Sequence, residues 1–246
     1  MKTRVMILGF LLLTGLLLNA QEKNRTSIPM IGDDAPSFTA ETTNGLLKFP
    51  EDLGGQYWKI LFSHPQDFTP VCTSEILELT KMQDDFESWA VKIAILSTDT
   101  KENHFLWKKS IEEALSNATD SVKIRFPLIA DDKIVVSRLY GMLQEKASTT
   151  KNVRGVFIIG PTNKVEAIFY YPMNIGRNLD EIFRTVKALQ TARASHLKTP
   201  ANWEPGQDLI VPAYPYTNEE MIKNPKIIDN YYSVGSFLWF KKRLLP

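Results

Sequence analysis

The chain has 246 residues, 43% of them hydrophobic, and its 29 basic and 28 acidic side chains leave a formal net charge of +1. This balance gives no indication of a nucleic-acid partner, and no long run of charge indicates a membrane-surface patch. The length and apolar content suit one large domain or a domain with an appendage. Cys72 is the only cysteine in the sequence, so an internal disulfide is excluded.

Residues 1–20 have the pattern of a secretory signal peptide. Lys2 and Arg4 precede an apolar run at 5–18, and Ala20 supplies a small residue before the predicted cleavage site. The apolar run is shorter than the ~20 residues that a membrane-spanning helix needs, which makes an uncleaved anchor the weaker interpretation. We therefore expect an exported protein, periplasmic, secreted or in a secretory lumen, with no stable membrane insertion after cleavage.

Strands and helices alternate in the sequence that follows. Residues 31–38 and 42–49 predict a short edge hairpin around Asn44-Gly45. Apolar runs bounded by turn residues predict buried strands at 57–62, 91–97 and 126–130. Helical periodicity predicts helices at 71–89, 103–116 and 133–140.

The second half of this region predicts a hairpin and one more helix. Residues 153–159 and 165–170 flank a turn at 160–163, which is typical of an antiparallel strand pair. Asn178 and Glu181 have the spacing of a capping box at the start of a helix. The resulting order predicts an α/β protein with a thioredoxin-like fold, in which helices flank a mixed sheet.

A domain boundary is predicted near residue 199, where prolines become frequent and periodicity is lost. We assign residues 21–198 to the thioredoxin-like domain and 199–246 to a small C-terminal extension. Runs rich in aromatic residues at 231–232 and 237–240 precede the basic run 241–243, an order also found in membrane-surface elements. The favoured interpretation is an extension that folds against its own domain or against a partner subunit, since apolar patches usually mark interfaces.

Cys72 is predicted to lie in the first turn of a helix. Thr69 is suited to the N-cap position and Pro70 to the first helical position, where its missing N–H costs nothing. The unpaired N–H groups and the helix dipole there favour a negatively charged thiolate. The alternative is that Cys72 is only a small buried hydrophobic residue.

The sequence of this helix predicts one buried side and one side that faces solvent. Apolar residues recur at helical spacing from Cys72 onward. They are Ile76, Leu79, Met82 and Phe86. The charged residues between them are expected to face solvent, and these are Glu75, Glu78, Lys81, Asp84 and Asp85.

The segment His64-Pro65-Gln66-Asp67-Phe68-Thr69-Pro70-Val71-Cys72-Thr73-Ser74-Glu75 resembles the peroxidatic motif of the peroxiredoxins. It is most similar to the one-cysteine branch that carries an extra C-terminal domain. Residues 154–157 resemble the strand with the second active-site element of that branch, and 176–178 and 199–203 are similar to further signatures. The resemblance extends from about Ile31 to the end of the chain.

The resemblance implies four catalytic roles. Cys72 is the peroxidatic nucleophile, Thr69 orients the peroxide, Pro65 shields the thiolate and Arg154 stabilises it. Arginine suits this role because its charge is permanent and it has several hydrogen-bond donors. From the residues alone, a surface strand charge is an equally good interpretation of Arg154.

Three further residues are candidate supporting groups. His64 is placed beside the sulfur by the resemblance, although a histidine before proline is often only a turn residue. Glu75 is expected to orient arginine side chains, and Arg177 is a candidate for the second arginine of the pocket. Gln66 departs from the branch, which usually has a basic residue at that position.

The resemblance implies a thiol-dependent peroxidase that reduces hydrogen peroxide and organic hydroperoxides in antioxidant defence. Because the chain has no second cysteine, an external thiol must regenerate Cys72 from the sulfenic acid. We expect no cofactor, no metal, no nucleic-acid partner, and a homodimer or higher homo-oligomer.

The main alternative is a non-catalytic thiol protein, a redox sensor or a holdase. A disulfide oxidoreductase is opposed by the missing Cys-x-x-Cys motif. A hydrolase that pairs Cys72 with His64 is opposed because no third group is evident to orient the base.

Overall fold

The computed structural model describes residues 28–117, 121–211, 216, 218–235 and 238–243. The predicted signal peptide, residues 1–20, lies outside the described residues. By their contacts the residues form two compact units. The first comprises the residues up to Asp67, Ile93–Trp107 and Phe126–Met173, and the second comprises Phe68–Lys92, Lys108–Arg125 and the residues from Asn174 onward.

Seven strands form one mixed sheet. In chain order they are β1 (Phe38–Thr42), β2 (Gly45–Phe49), β3 (Trp58–Ser63), β4 (Val91–Ser97), β5 (Leu128–Ala130), β6 (Arg154–Ile159) and β7 (Val165–Tyr171). Their order across the sheet is β2-β1-β5-β4-β3-β6-β7. The pair β4–β5 is parallel, whereas β1–β2, β1–β5, β3–β6 and β6–β7 are antiparallel. The predicted mixed sheet is therefore confirmed.

The predicted edge hairpin is confirmed in β1 and β2. Thr42 pairs with Gly45, and β2 is an edge strand of the sheet. Gly45 has a φ of 99°, which a residue without a side chain adopts readily. The Thr42 hydroxyl accepts a hydrogen bond from the Asn44 N–H at 2.9 Å and donates one to the Gly45 carbonyl at 2.7 Å. The turn chemistry thus fixes the register of the pair.

Aromatic side chains organise the core of the first unit. Phe38 and Phe49 stack with ring centroids 5.1 Å apart, and Tyr140 meets Phe49 edge-on at 6.4 Å. Tyr140 also packs edge-on against Phe157 of β6 at 5.1 Å. Such offset and edge-on pairs are worth roughly 0.5–1.5 kcal/mol each beyond the area they bury.

Five α-helices are present among the described residues. They are α1 (Pro70–Ser88), α2 (Lys101–Leu115), α3 (Val135–Leu139), α4 (Leu179–Ser195) and α5 (Asn218–Lys223). The predicted helices at 71–89, 103–116 and 133–140 are confirmed within a few residues. α3 belongs to the first unit, α1, α4 and α5 belong to the second, and α2 begins in the first and ends in the second.

Helices α1 and α4 pack together in the second unit through Phe86 and Phe183, whose ring centroids are 4.6 Å apart. The Asn178 side chain caps α4 by accepting a hydrogen bond from the Glu181 N–H at 3.0 Å. The Glu181 carboxylate binds Arg184 at 2.6 and 2.8 Å. The predicted N-cap is confirmed, while the second half of the capping box is replaced by this ion pair.

The C-terminal part of the second unit contains a three-stranded antiparallel sheet. Its strands are β8 (Leu209–Val211), β9 (Tyr231–Val234) and β10 (Leu238–Lys241), in the order β8-β10-β9. Tyr232 and Phe240 stack across β9 and β10 at 5.0 Å. Trp203 is buried, and its carbonyl accepts a hydrogen bond from Arg184 at 2.8 Å. None of the helices in the described parts of the chain combines the length and apolar character needed to cross a bilayer.

Candidate active site

The start of α1 is set by the backbone of Phe68, Thr69 and Pro70. Phe68 has a φ of 57°, and Thr69 is the extended N-cap residue with φ −96° and ψ 149°. Pro70 occupies the first helical position, as predicted. The Thr69 side chain makes no capping hydrogen bond, so the N-cap role expected for its hydroxyl is not found.

Cys72 lies in the first turn of α1, which confirms its predicted position. Its residue surface is 1% exposed. The Thr73 N–H donates to the Thr69 carbonyl at 2.9 Å and closes the turn around the cysteine. The sulfur is thus placed at the positive end of the helix dipole.

Glu75 and Arg177 form a buried ion pair within the second unit. Arg177 donates from Nε to Glu75 Oε1 at 2.9 Å and from Nη2 to Oε2 at 2.7 Å. The Arg177 backbone N–H also donates to Oε1 at 2.8 Å. The Glu75 side chain is 3% exposed and the Arg177 side chain is 1% exposed. This three-point contact ties the second turn of α1 to the segment before α4.

The prediction that Glu75 faces solvent is wrong, whereas Glu78, Lys81, Asp84 and Asp85 are exposed as expected. Glu75 lies next to the buried Ile76 on α1, and a carboxylate is buried only when it is paired. Its partner lies 102 residues away in sequence. Helical periodicity contains no signal for such a partner. The expectation that Glu75 orients an arginine agrees with the pair.

Arg154 is the first residue of β6 and is buried at 1% exposure, so its interpretation as a surface strand charge is wrong. Its Nε and Nη2 atoms donate to the Met173 carbonyl at 3.0 and 2.5 Å. Both residues belong to the first unit. The carbonyl holds one edge of the planar guanidinium, and this fixes the orientation of the whole group.

His64 is part of a buried cluster in the first unit that also contains Asp67 and His104. His64 Nε2 lies 3.5 Å from Asp67 Oδ1, and His104 Nδ1 lies 2.8 Å from Asp67 Oδ2. The His64 ring packs on Trp107 with centroids 5.1 Å apart. Pro65 is buried, whereas Gln66 is exposed. The His64 side chain is therefore buried and held by Asp67 and Trp107, and its supporting role at the sulfur stays a prediction.

The surroundings of Asp67 in this cluster shift the pKa of its carboxyl group. Burial raises the pKa of its carboxyl, while the hydrogen bond and charge of His104 lower that pKa. The charge of Asp99 raises the Asp67 pKa further, and that of Lys151 lowers it. No sequence pattern predicted a role for Asp67 or His104. The proximity of Asp67 to His64 in sequence was a weak signal, and His104 has no local signal because it lies on α2.

The predicted site residues are distributed over both units. Thr69, Cys72, Glu75 and Arg177 belong to the second unit, and His64, Pro65 and Arg154 belong to the first. The structure places Thr69 and Cys72 in one helical turn and joins Glu75 to Arg177. The pairing of Arg154 with the Cys72 thiolate stays a prediction.

A mixed sheet and one buried cysteine in the first turn of a helix define a class of thiol enzyme. With a single cysteine available, the mechanism cannot be that of an oxidoreductase with two cysteines in one chain. Family models give the particular assignment. Residues 31–168 match the AhpC/TSA family, and residues 188–224 match the C-terminal domain of 1-Cys peroxiredoxin. The chain belongs to the peroxiredoxins of the one-cysteine type.

Relatives with the same family name are similar over most of their length. The peroxiredoxin of Methanosarcina mazei is 50% identical over 197 residues, which cover 80% of this chain and 89% of that protein. The peroxiredoxin of Aquifex aeolicus is 41% identical over 226 residues, which cover 88% of this chain and 98% of that protein.

Two solved structures resemble this chain over nearly their whole length. A yeast mitochondrial 1-Cys peroxiredoxin has a TM-score of 0.74 and 35% identity, with 88% of this chain and 100% of that one covered. Peroxiredoxin 6 of Arenicola marina has a TM-score of 0.75 and 32% identity, with 87% and 97% covered. The predicted thioredoxin-like fold with a C-terminal domain is confirmed by these similarities.

Proposed function

We propose that this peroxidase reduces hydrogen peroxide and organic hydroperoxides through Cys72 and is regenerated by an external thiol. The single observation that carries the proposal is the position of the only cysteine, buried in the first turn of α1. The thiolate attacks the terminal oxygen of the peroxide, the O–O bond breaks, and the leaving oxygen takes a proton as water or an alcohol. Cys72 is left as a sulfenic acid.

Regeneration consumes two equivalents of an external thiol. The first condenses with the sulfenic acid, releases water and leaves a mixed disulfide on Cys72. The second attacks this disulfide, restores the Cys72 thiol and leaves with the first as an oxidised disulfide. The yeast mitochondrial relative is resolved via the glutathione and thioredoxin systems. These two systems are therefore the first reductants to supply in an assay, and the cycle needs no other cofactor.

The rate of turnover distinguishes this enzyme from a thiol sensor or holdase. Purified protein supplied with glutathione or a thioredoxin system is expected to consume hydrogen peroxide far faster than an equal concentration of free cysteine. A rate no higher than that of free cysteine with either reductant would support the non-catalytic alternative.

In the proposed mechanism Thr69 orients the peroxide, Pro65 shields the sulfur and Arg154 stabilises the thiolate and the departing oxygen. His64, Glu75 and Arg177 are proposed as supporting residues. The fixed guanidinium of Arg154 favours its role because a preorganised donor needs no reorganisation as charge develops. The Glu75–Arg177 pair favours a positioning role for both residues.

Replacement of Arg154 by glutamine is expected to slow sulfenic acid formation by roughly 100-fold, the usual cost of losing one charge-stabilising donor. Stopped-flow mixing with peroxide measures this step directly. Arg154→Lys keeps the charge but not the planar fork, so it should recover part of the rate. Arg138→Gln removes an exposed arginine and serves as the control, with an unchanged rate. Equal rates for Arg154→Gln and the control would contradict the proposed role.

Export and assembly are proposed from sequence features. Residues 1–20 direct the protein out of the cytoplasm, and the region 199–246 contributes to a homodimer or higher homo-oligomer. Cell fractionation with N-terminal sequencing of the mature protein tests the first point, and an unprocessed cytoplasmic chain would contradict it. Sedimentation of the chain truncated after Leu197 tests the second, and an unchanged assembly would contradict it.

A further inference from the structure

The segment from His64 to Asp67, which follows β3 in the first unit, is held at both of its ends. At the first end, the His64 N–H donates to the Leu96 carbonyl of β4 at 3.0 Å. At the second end, the Asp67 N–H donates to Asp99 Oδ2 at 2.9 Å. Pro65 lies between these two anchors and is buried. The position of Pro65 therefore depends on how firmly both ends are held.

The side chain of Asp67 gives the second end a further anchor. Asp67 Oδ2 lies 2.8 Å from Nδ1 of His104 on α2, and the two side chains are 1% and 0% exposed. His104 is held in turn, because its Nε2 lies 3.0 Å from the Ile129 carbonyl oxygen of β5. A carbonyl oxygen can only accept, so Nε2 carries a ring proton and donates it. Asp67 is thus connected through His104 to an interior strand of the sheet.

The contact between Asp67 and His104 contains a proton. Without it, a carboxylate oxygen and a nitrogen lone pair would face each other at 2.8 Å in a buried place, at a large cost in free energy. With the proton on either group, the contact is one buried hydrogen bond. Burial and the charge of Asp99 raise the pKa of the Asp67 carboxyl, while His104 and the charge of Lys151 lower it. The charges of His104 and Lys151 therefore oppose those of the two carboxylates.

We propose that Asp67 and His104 are positioning residues for the peroxidase reaction, an inference that rests on the function proposed above. Their hydrogen bond holds the segment that carries His64 and Pro65, to which that function gives roles at the sulfur. Asp67 and His104 themselves need no contact with the peroxide, because each acts through the segment it holds. Misplacing a reacting arrangement by about 1 Å can slow a reaction by about 100-fold, so losing this anchor should slow the attack on peroxide.

Two substitutions of His104 separate its two hydrogen bonds. The ring atom Nδ1 is bonded to Cγ, and the amide nitrogen of asparagine is also bonded to Cγ, so His104→Asn keeps a donor that faces Asp67. Glutamine is one carbon longer, and its amide nitrogen reaches the position of Nε2. His104→Gln therefore keeps the donor that faces Ile129 and loses the one that faces Asp67. A histidine that served only to pack α2 on the sheet would not distinguish these variants in favour of asparagine.

Stopped-flow mixing of each full-length variant with hydrogen peroxide measures the rate of sulfenic acid formation. His104→Gln is expected to lower this rate by roughly 10–100-fold, the scale of a misplaced reacting group. His104→Asn should recover most of the loss. His196→Asn is the control, because His196 is exposed and has a φ of 58°, which asparagine tolerates. Its rate should equal that of the unsubstituted protein. Equal rates for His104→Asn and His104→Gln, with native circular dichroism spectra, overturn the proposal.

The hydrogen bond can also be measured in the unsubstituted protein, so the proposal stays testable even if a variant of His104 fails to fold. NMR of isotope-labelled protein should show His104 Nδ1 in a hydrogen bond whose proton exchanges slowly with water. An Nδ1 atom without such a bond overturns the proposal. The rate of the unsubstituted protein separates the two proposals. A rate no higher than that of free cysteine overturns both, whereas a fast unsubstituted protein with equal His104 variants overturns only the positioning role.

Discussion

Replacement of Cys72 by serine is expected to reduce peroxide consumption to the rate of buffer alone. The chain has one cysteine, so no second thiol can take over the attack. A serine hydroxyl stays protonated near neutral pH and is a poor nucleophile without an adjacent base. Labelling with dimedone, which reacts with sulfenic acids, should disappear in the same variant. Both measurements report on the same sulfur, one through turnover and one through its oxidised product.

Ser74→Ala is the control for this substitution. Ser74 lies on the same helix, is exposed, and uses its hydroxyl in a local hydrogen bond to the Val71 carbonyl at 2.8 Å. Activity and labelling should therefore match the unsubstituted protein. Residual turnover or persistent labelling in Cys72→Ser, with a native circular dichroism spectrum, would show that Cys72 is not the peroxidatic residue.

The strands were predicted well because their signal is local. The run at 91–97 has the same bounds in the structure as in the prediction, since apolar residues and turn residues delimit it directly. The strand predicted at 126–130 is shorter, Leu128–Ala130. It begins after Pro127, which has no N–H to donate to a neighbouring strand. The parallel pairing of β4 with β5 follows from chain order once both strands are known.

The site was predicted only as far as its signals were local. Thr69, Pro70 and Cys72 are close in sequence and follow the residue pattern of a helix N-terminus, so their positions were predicted correctly. His104 was missed because 37 residues separate it from Asp67 and nothing in its own helix marks it. Arg154 gave no indication of its burial, because a strand with one charged end is compatible with either face of a sheet.

Glu75 is the clearest case in which helical periodicity fails to predict whether a side chain is buried. The helical pattern places it among charged residues, yet the structure buries it against Arg177. Removing one partner of such a pair leaves a buried charge without compensation, which typically costs about 3–5 kcal/mol. Glu75→Ala and Arg177→Ala are each expected to lower the free energy of unfolding by about this amount. Urea unfolding followed by tryptophan fluorescence measures the change.

The double variant separates the pair interaction from the separate losses of the two side chains. With both charges removed no unpaired ion stays buried, so the double variant should lose clearly less free energy of unfolding than the sum of the two single variants. Glu78→Ala is the control, since Glu78 lies one turn along α1 and is 52% exposed in its pair with Lys81. Its effect should stay below about 0.5 kcal/mol because exposed ion pairs contribute little. The coupled buried pair would be contradicted if the free-energy losses of the two single variants simply added in the double variant. An effect of Glu75→Ala as small as that of Glu78→Ala would also contradict it. In either case α1 would have to be held against α4 chiefly by Phe86 and Phe183.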